Sequence, residues 1–166
     1  MQSEIIDMLY RKYYHSSYLY IFSLCKNKEI AEDIVSQAFE KAYLSLDDEK
    51  HGFQYWLLVV CKNLWLDYLR KNKKVMQNKD EDCEYVSPTP TPELEYIKKE
   101  QSRIIYECLL LLPSKYREIL SLHYYSNIPL TEISIIMGLT NSNAKTLVHR
   151  ARAKLKNILE EYEYEF

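Results

Sequence analysis

Residues 130–156 read LTEISIIMGLTNSNAKTLVHRARAKLK. A short segment with an apolar pattern comes first, Gly138 follows it, and a basic amphipathic segment ends the stretch. Gly138 is one of only two glycines in the chain, and a residue without a Cβ atom adopts the positive φ that a sharp turn between two helices requires. This order is typical of a helix-turn-helix motif that presents its second helix to DNA.

The second segment of the motif separates into two faces when it is drawn as a helix with about 100° per residue. Its polar and basic residues lie away from the apolar face, which is the arrangement expected of a helix that packs on a core and reads DNA. A solvated basic face is the alternative interpretation of such a helix taken alone. The preceding short helix and Gly138 favour DNA binding. The apolar face consists of Ala144, Leu147, Val148, Ala151, Leu155, Ile158 and Leu159.

Composition limits the fold class. Hydrophobic residues make up 47% of the 166 residues and aromatic residues 13%, which excludes a wholly disordered chain. Five prolines and two glycines provide few of the tight turns that a β protein needs, whereas Leu, Lys, Glu and Ile favour helix. The sequence therefore predicts an all-α protein with two small helical bundles.

The helical pattern stops in one internal segment. Residues 73–93 read KKVMQNKDEDCEYVSPTPTPE, a polar and acidic stretch in which three prolines favour extended geometry. This segment predicts a domain boundary. The predicted organisation is a first domain at 1–74, a flexible acidic linker at 75–92, a second domain at 93–160 and an acidic tail at 161–166.

Capping residues and helix breakers predict the helices of each domain. Pro113 is expected to separate the first two helices of the second domain, because a proline disfavours helical geometry in the residue before it. The helix-turn-helix then completes a four-helix domain. The other predicted helices run from a Ser3 cap to about Cys25, from an Asn27 cap to about Leu46, and over residues 53–68, 94–112 and 114–125.

The net charge of −2 conceals an uneven distribution. Residues 101–159 carry eight Lys or Arg and three Asp or Glu, whereas residues 75–100 carry three basic and seven acidic residues. The last seven residues add four glutamates. Because acidic segments repel phosphate, we expect the isolated chain to bind DNA poorly unless a partner holds it there or moves these segments aside.

Other classes of protein find little support in the sequence. No apolar run approaches the roughly 20 residues of a membrane span, and no signal peptide is recognised, so a cytoplasmic location is expected. There is no phosphate-binding loop and no nucleophile motif, so we expect neither an enzyme nor a small-molecule substrate or cofactor. The four histidines and the four cysteines show no metal-ligand spacing, which predicts no metal site; the cysteines are Cys25, Cys61, Cys83 and Cys108.

Three runs in order resemble one protein family. They are AEDIVSQAFEKAY at 31–43, FQYWLLVVCKNLWLDYLRK at 53–71 and LPSKYREILSLHYYSNIPLTEISIIMGLTNSNAKTLVHRARAKL at 112–155. Together they resemble the extracytoplasmic-function sigma factors, small specificity subunits of bacterial RNA polymerase. The resemblance implies a sigma region 2-like bundle, a linker and a sigma region 4-like bundle that carries the helix-turn-helix. It also implies core RNA polymerase and promoter DNA as partners, and regulation by an anti-sigma factor, which in this family is often membrane-anchored.

Trp56 and Trp65 lie at core spacing and are expected inside the bundle. The resemblance also implies roles for individual residues. The chain departs from the family pattern at Ser36, where a glutamine is usual, at Ser134, where alanine is usual, and over residues 142–144. The implied polymerase contacts are Asp33, Ser36, Gln37 and Glu40. The implied minus-ten contacts are Lys50, His51, Phe53, Lys62, Asn63, Arg70 and Lys71, and the implied minus-thirty-five contacts are Asn143, Lys145, Thr146, His149, Arg150, Arg152 and Lys156.

Two other functions stay open at the level of sequence. A helix-turn-helix transcriptional regulator would need no polymerase-docking surface and would bind a two-fold related site as a dimer. A helical adaptor that does not bind DNA would use the basic face only for solubility. The sequence also leaves open whether the many tyrosines of the first helix fill a small core or form a partner surface.

Overall fold

The computed structural model describes residues 2–45, 52–73 and 100–164, and these parts form helices without any strand. The all-α prediction is therefore confirmed. Within the described ranges, no helix combines the length and the hydrophobicity of a membrane-spanning segment. The predicted linker at 75–92 lies outside the described residues. The helices are α1 (Gln2–Cys25), α2 (Lys28–Ser45), α3 (Phe53–Lys71), α4 (Glu100–Leu109), α5 (Ser114–Tyr125), α6 (Leu130–Met137) and α7 (Asn141–Tyr164).

The first bundle contains α1, α2 and α3. Asn27 caps α2 as predicted, because its side-chain oxygen accepts a hydrogen bond from the Ile30 backbone N–H at 3.1 Å. Three alanines of α2 are completely buried, and their small side chains let α2 approach its neighbours closely. Trp65 is buried as predicted, and Trp56 is half-buried against the ring of Phe53.

Two predicted helix ends differ from the structure. Ser3 lies inside α1 and is not its cap, because the helix already begins at Gln2. Helix α4 ends at Leu109 and not at Leu112, since the N–H groups of Leu111 and Leu112 each bond to the carbonyl three residues earlier, at 3.1 Å. These bonds form a tight turn ahead of Pro113. Residues 94–99 of the predicted helix lie outside the described residues.

The second bundle contains α4 to α7 and includes the helix-turn-helix. Gly138 adopts φ 67° and ψ 34°, the left-handed conformation expected of it. Its N–H bonds to the Ile135 carbonyl at 3.1 Å, and the Leu139 N–H bonds to the Ser134 carbonyl at 2.8 Å, which together form a Schellman motif. The Ser134 hydroxyl donates to the Thr131 carbonyl at 2.6 Å, so the serine is accommodated within α6. Helix α7 continues to Tyr164 and includes most of the predicted tail.

The two bundles pack directly against each other, which the sequence did not predict. The C-terminal half of α1 lies on α5, and α3 also contacts α6. The buried side chains of both bundles consequently form one continuous cluster. Tyr18 and Tyr20 of α1 belong to this cluster, whereas Tyr10 is 42% exposed, so the tyrosines of α1 serve both the core and the surface.

Candidate nucleic-acid interface

Helix α7 is fixed to the second bundle by one face and exposes the other. Ala144 and Ala151 are completely buried, and Val148 and Leu155 nearly so, which fixes the rotation of the helix about its axis. The basic and polar side chains on the remaining arc point to solvent, as the sequence pattern predicted. All seven predicted minus-thirty-five residues are exposed: Asn143, Lys145, Thr146, His149, Arg150, Arg152 and Lys156.

The start of α7 is suited to an anion. Thr140 caps the helix, because its hydroxyl oxygen accepts a hydrogen bond from the Asn143 backbone N–H at 3.1 Å. The first turn carries no acidic residue, so the positive end of the helix dipole is not neutralised. The Thr146 hydroxyl donates to the Ser142 carbonyl at 3.1 Å, which orients that side chain in the absence of DNA. The exposed start of α7 can therefore approach a phosphate or a base edge.

Arg152 is held by two side chains of α5. Its guanidinium group lies 2.8 Å from the His123 ring nitrogen Nε2, and its Nε atom donates to the Tyr124 hydroxyl at 3.1 Å. The guanidinium carbon also lies 5.8 Å from the centre of the Tyr124 ring, within the range of a cation–π contact. These contacts restrict the position of the Arg152 charge on the exposed face of the bundle.

His123 is adapted to this contact by its protonation state. Partial burial and the nearby Arg152 charge lower the pKa of His123 below its ordinary value. The neutral ring therefore accepts a hydrogen bond from the arginine at neutral pH. Sequence reasoning missed His123 and Tyr124, because they lie 29 and 28 positions before Arg152 and no local pattern joins them.

The predicted minus-ten residues are placed in three different ways. Lys50 and His51 lie outside the described residues. The placement of Phe53 differs from the prediction, because the residue is 7% exposed and its ring packs among those of Tyr13, Phe39 and Trp56. Its ring is thus part of the core and offers no open platform for a base. The remaining four are Lys62, Asn63, Arg70 and Lys71.

These four lie along α3. Asn63, Arg70 and Lys71 are exposed, and Arg70 forms an ion pair with Asp67 one turn earlier. Lys62 is different, because its side chain is only 19% exposed and its ammonium group contacts a carboxylate oxygen of Glu118 at 2.6 Å. Glu118 belongs to α5, so Lys62 is paired with a residue of the second bundle in this structure.

The predicted polymerase contacts form one exposed stripe along α2. All four are exposed, and their spacing places them within about 100° of arc on the helix. The Gln37 side-chain amide donates to the Asp33 carboxylate at 2.7 Å, which orients both groups. We name this set of predicted contacts the docking stripe: Asp33, Ser36, Gln37 and Glu40.

Two family models match separate parts of the chain. The family model for sigma-70 region 2 matches residues 9–75, and the model for sigma-70 region 4 matches residues 102–155. The ECF RNA polymerase sigma factor SigM of Bacillus subtilis is 31% identical over 91% of this chain and 93% of its own length. The chain belongs to the ECF sigma factors. SigW of the same organism is 30% identical over 95% of this chain and 88% of its own length.

A solved sigma factor has the same fold. It is RpoE from Bartonella quintana, in complex with the anti-sigma factor NepR, and it is 22% identical with a TM-score of 0.72. The match covers 96% of this chain and 98% of that chain, so it includes both bundles. Because the matches of the two family models fall on the first and the second bundle, the first bundle of this ECF sigma factor is region 2 and the second is region 4.

Region 2 of this sigma factor also exposes two large side chains that sequence reasoning missed. Tyr43 is 54% exposed and Leu44 is 78% exposed, both near the end of α2. Leu44 follows Glu40 by four residues and therefore continues the docking stripe. The sequence signal that could have revealed Leu44 is its position as an apolar residue on the polar side of an otherwise regular amphipathic helix.

Proposed function

We propose that this chain is an alternative sigma factor that binds core RNA polymerase and directs transcription initiation from specific promoters. The observation that carries the proposal is the exposed basic face of α7, held by a helix-turn-helix in a chain of this family. Such work needs surfaces and no reactive centre. The proposal therefore includes no enzymatic activity and no cofactor, and it places the protein in the cytoplasm.

Region 4 is proposed to bind the minus-thirty-five element through the major groove. Side chains near the start of α7 are suited to base edges, since they are exposed and no acidic residue of the first turn neutralises the positive end of the helix dipole. Those further along, Arg152 and Lys156, are suited to phosphates. The base-reading residues are Asn143, Lys145, Thr146, His149 and Arg150.

Region 2 is proposed to bind the minus-ten element with α3 and the segment before it. Asn63, Arg70 and Lys71 are exposed and ready for a DNA backbone. Lys62 can take part once Glu118 no longer holds it. Phe53 contributes the packing that supports this surface, and Lys50 and His51 remain predicted contacts.

The docking stripe on α2 is proposed to bind core polymerase. Asp33→Ala should weaken the complex, because it removes a charged group together with the hydrogen bond that orients Gln37. Glu32→Gln is the matched control: it also removes a carboxylate charge from α2, but Glu32 pairs with Lys28 at 3.9 Å and lies off the stripe. Equal affinities of the two variants for core polymerase would argue against the stripe.

An anti-sigma factor is proposed as a further partner. The solved RpoE, which shares the fold of both bundles, is in complex with the anti-sigma factor NepR. The exposed surfaces of α2 and α7 offer such a partner a way to block polymerase and DNA together. A membrane anchor on this partner is a separate expectation, which the family resemblance implies.

The decisive experiment is transcription by core polymerase from a library of randomised promoters, with and without this chain. Added chain should enrich transcripts that start downstream of two short sequence elements. Asp33→Ala should reduce the yield without changing the elements, whereas changes on α7 should alter the upstream element. Unchanged start-site selection in the presence of the chain would overturn the proposed function.

A further inference from the structure

A buried polar cluster joins region 2 to region 4. Glu118 of α5 is only 7% exposed, and its Oε2 atom accepts a hydrogen bond from the Tyr20 hydroxyl of α1 at 2.6 Å. The Lys62 ammonium group of α3 contacts the same oxygen at 2.6 Å. Burial, with the neighbouring Glu118 charge, raises the pKa of Tyr20 well above its ordinary value, so the hydroxyl keeps its proton and donates. We name Tyr20, Lys62 and Glu118 the latch.

Region 4 also supplies hydrogen bonds to the end of α1. The Tyr106 hydroxyl donates to the Leu19 carbonyl at 2.7 Å, and the Arg117 guanidinium donates to the Ser23 carbonyl. Ser23 lies in the last turn of α1, where backbone carbonyls have no partner within the helix. The contact between the bundles therefore satisfies specific polar groups and does more than bury apolar surface.

The two bundles cannot bind both promoter elements while they are in this contact. The minus-ten and minus-thirty-five positions are about 25 base pairs apart, which at about 3.4 Å per base pair is about 85 Å of duplex. A compact chain of this length, 166 residues, has a radius of gyration of about 15 Å and so a diameter of roughly 40 Å. The 26 residues at 74–99 could reach at most about 90 Å if fully extended. The chain is long enough to bind both elements only after the bundles separate.

The latch also occupies a residue that promoter DNA would use. Lys62 is a proposed minus-ten contact, and the Glu118 carboxylate holds its ammonium group as a phosphate would. We propose that the latch is an autoinhibitory contact, in which Glu118 holds Lys62 in the place of DNA until region 4 leaves region 2. The inference rests on the proposed function, since it takes Lys62 and α7 to bind two separate elements of one promoter.

Two changes in the latch test the inference on the full chain. Glu118→Gln removes the charge that pairs with Lys62, and Tyr20→Phe removes one hydrogen bond without changing any charge. Glu107→Gln is the matched control, because it removes a carboxylate from region 4 whose partner, Arg103 at 3.5 Å, lies in the same helix. Small-angle X-ray scattering should show a larger radius of gyration for Glu118→Gln, a smaller increase for Tyr20→Phe, and the wild-type value for Glu107→Gln. Circular dichroism should show wild-type helix content in all three.

DNA binding provides the functional readout. The probe is a promoter selected from the randomised library, tested without polymerase, both intact and with only its minus-thirty-five element. Glu118→Gln should bind the intact promoter about tenfold or more tightly than the wild type does, because two tethered modules that bind one DNA typically gain 10²–10⁴ in affinity. Binding to the minus-thirty-five element alone should be unchanged.

The outcomes separate the latch from the proposed function. Equal radii of gyration and equal promoter affinities for wild type and both latch variants would overturn the latch, even if the chain directs transcription normally. An increase that Glu107→Gln reproduces would also overturn it, since a general charge effect would then be the cause. If the library yields no promoter at all, the proposed function fails, while the scattering comparison still tests the contact between the bundles.

Discussion

Replacing Gly138 with alanine tests whether the turn of the helix-turn-helix depends on backbone conformation alone. Gly138 has φ 67°, and a Cβ atom added there would meet no heavy atom within 4 Å. The alanine would therefore overlap with nothing, and its cost is that of a left-handed residue with a Cβ, about 1–2 kcal/mol. A change of that size lowers the ratio of folded to unfolded protein by a factor of about 5–30.

The measurement is urea unfolding of the full chain, monitored by circular dichroism. Gly138→Asn is the matched control, because asparagine tolerates the left-handed region and loses the same backbone freedom of glycine in the unfolded state. The asparagine variant should therefore be more stable than the alanine variant. Equal stabilities would contradict the reasoning, as would an alanine cost above about 3 kcal/mol, which would indicate a steric clash. DNA affinity well below the melting temperature should stay unchanged in both variants.

Three further predictions concern the interface and the two bundles. Arg150→Ala should lose about 1–3 kcal/mol of discrimination at one base pair, whereas Arg152→Ala should weaken binding to all sequences and reduce the salt slope by about one; competition binding with single-base variants checks both, and unchanged preference in Arg150→Ala would remove it from the reading set. Asn27→Ala should cost about 1 kcal/mol in urea unfolding because the α2 cap is lost, while Asn27→Ser should cost less. Because the pKa of His123 is lowered in the folded protein, stability should fall as pH falls below about 6.5, where the unfolded chain binds the proton first; the same fall in His123→Gln would exclude His123 as its source.

Local structure followed from residues with strong backbone preferences. Pro113 marked the start of α5 and Gly138 the end of α6 correctly, because proline restricts and glycine permits conformations in a way that few other residues do. Asn27 was predicted correctly as a cap for a different reason, since its side-chain oxygen can accept a backbone N–H of the first turn. The prediction for Ser3 was wrong, since a serine near a helix terminus does not always act as the cap. The predicted end of α4 was wrong as well, since a helix can tighten into a turn before a proline. Local rules are thus reliable where only one conformation is allowed.

The exposed face of the site was predictable, whereas its partners were not. Helical periodicity alone predicted that Arg150 and Arg152 lie on the outer side of α7, because the rotation of the helix is fixed by its apolar face, of which Ala144, Val148, Ala151 and Leu155 are buried. The contact of Arg152 with His123, and that of Lys62 with Glu118, join residues 29 and 56 positions apart. Such pairs depend on how the helices pack, and no pattern within one helix encodes them. Phe53 illustrates the same point, since its burial depends on rings from α1 and α2.

The chain uses tyrosine where the two bundles meet, and the hydrogen bonds that cross this contact explain why phenylalanine would serve less well. Tyr20 and Tyr106 are completely buried and bring as much apolar surface into the contact as phenylalanine would, while each hydroxyl donates across it, to Glu118 and to the Leu19 carbonyl. When the bundles separate, water can take over both hydrogen bonds. Phenylalanine at these positions would remove one hydrogen bond from each of these acceptors in the closed state and expose a more apolar surface in the open one. An aromatic ring with a polar tip suits a surface that is alternately buried and hydrated, and this accounts for two of the sixteen tyrosines that composition alone could not place.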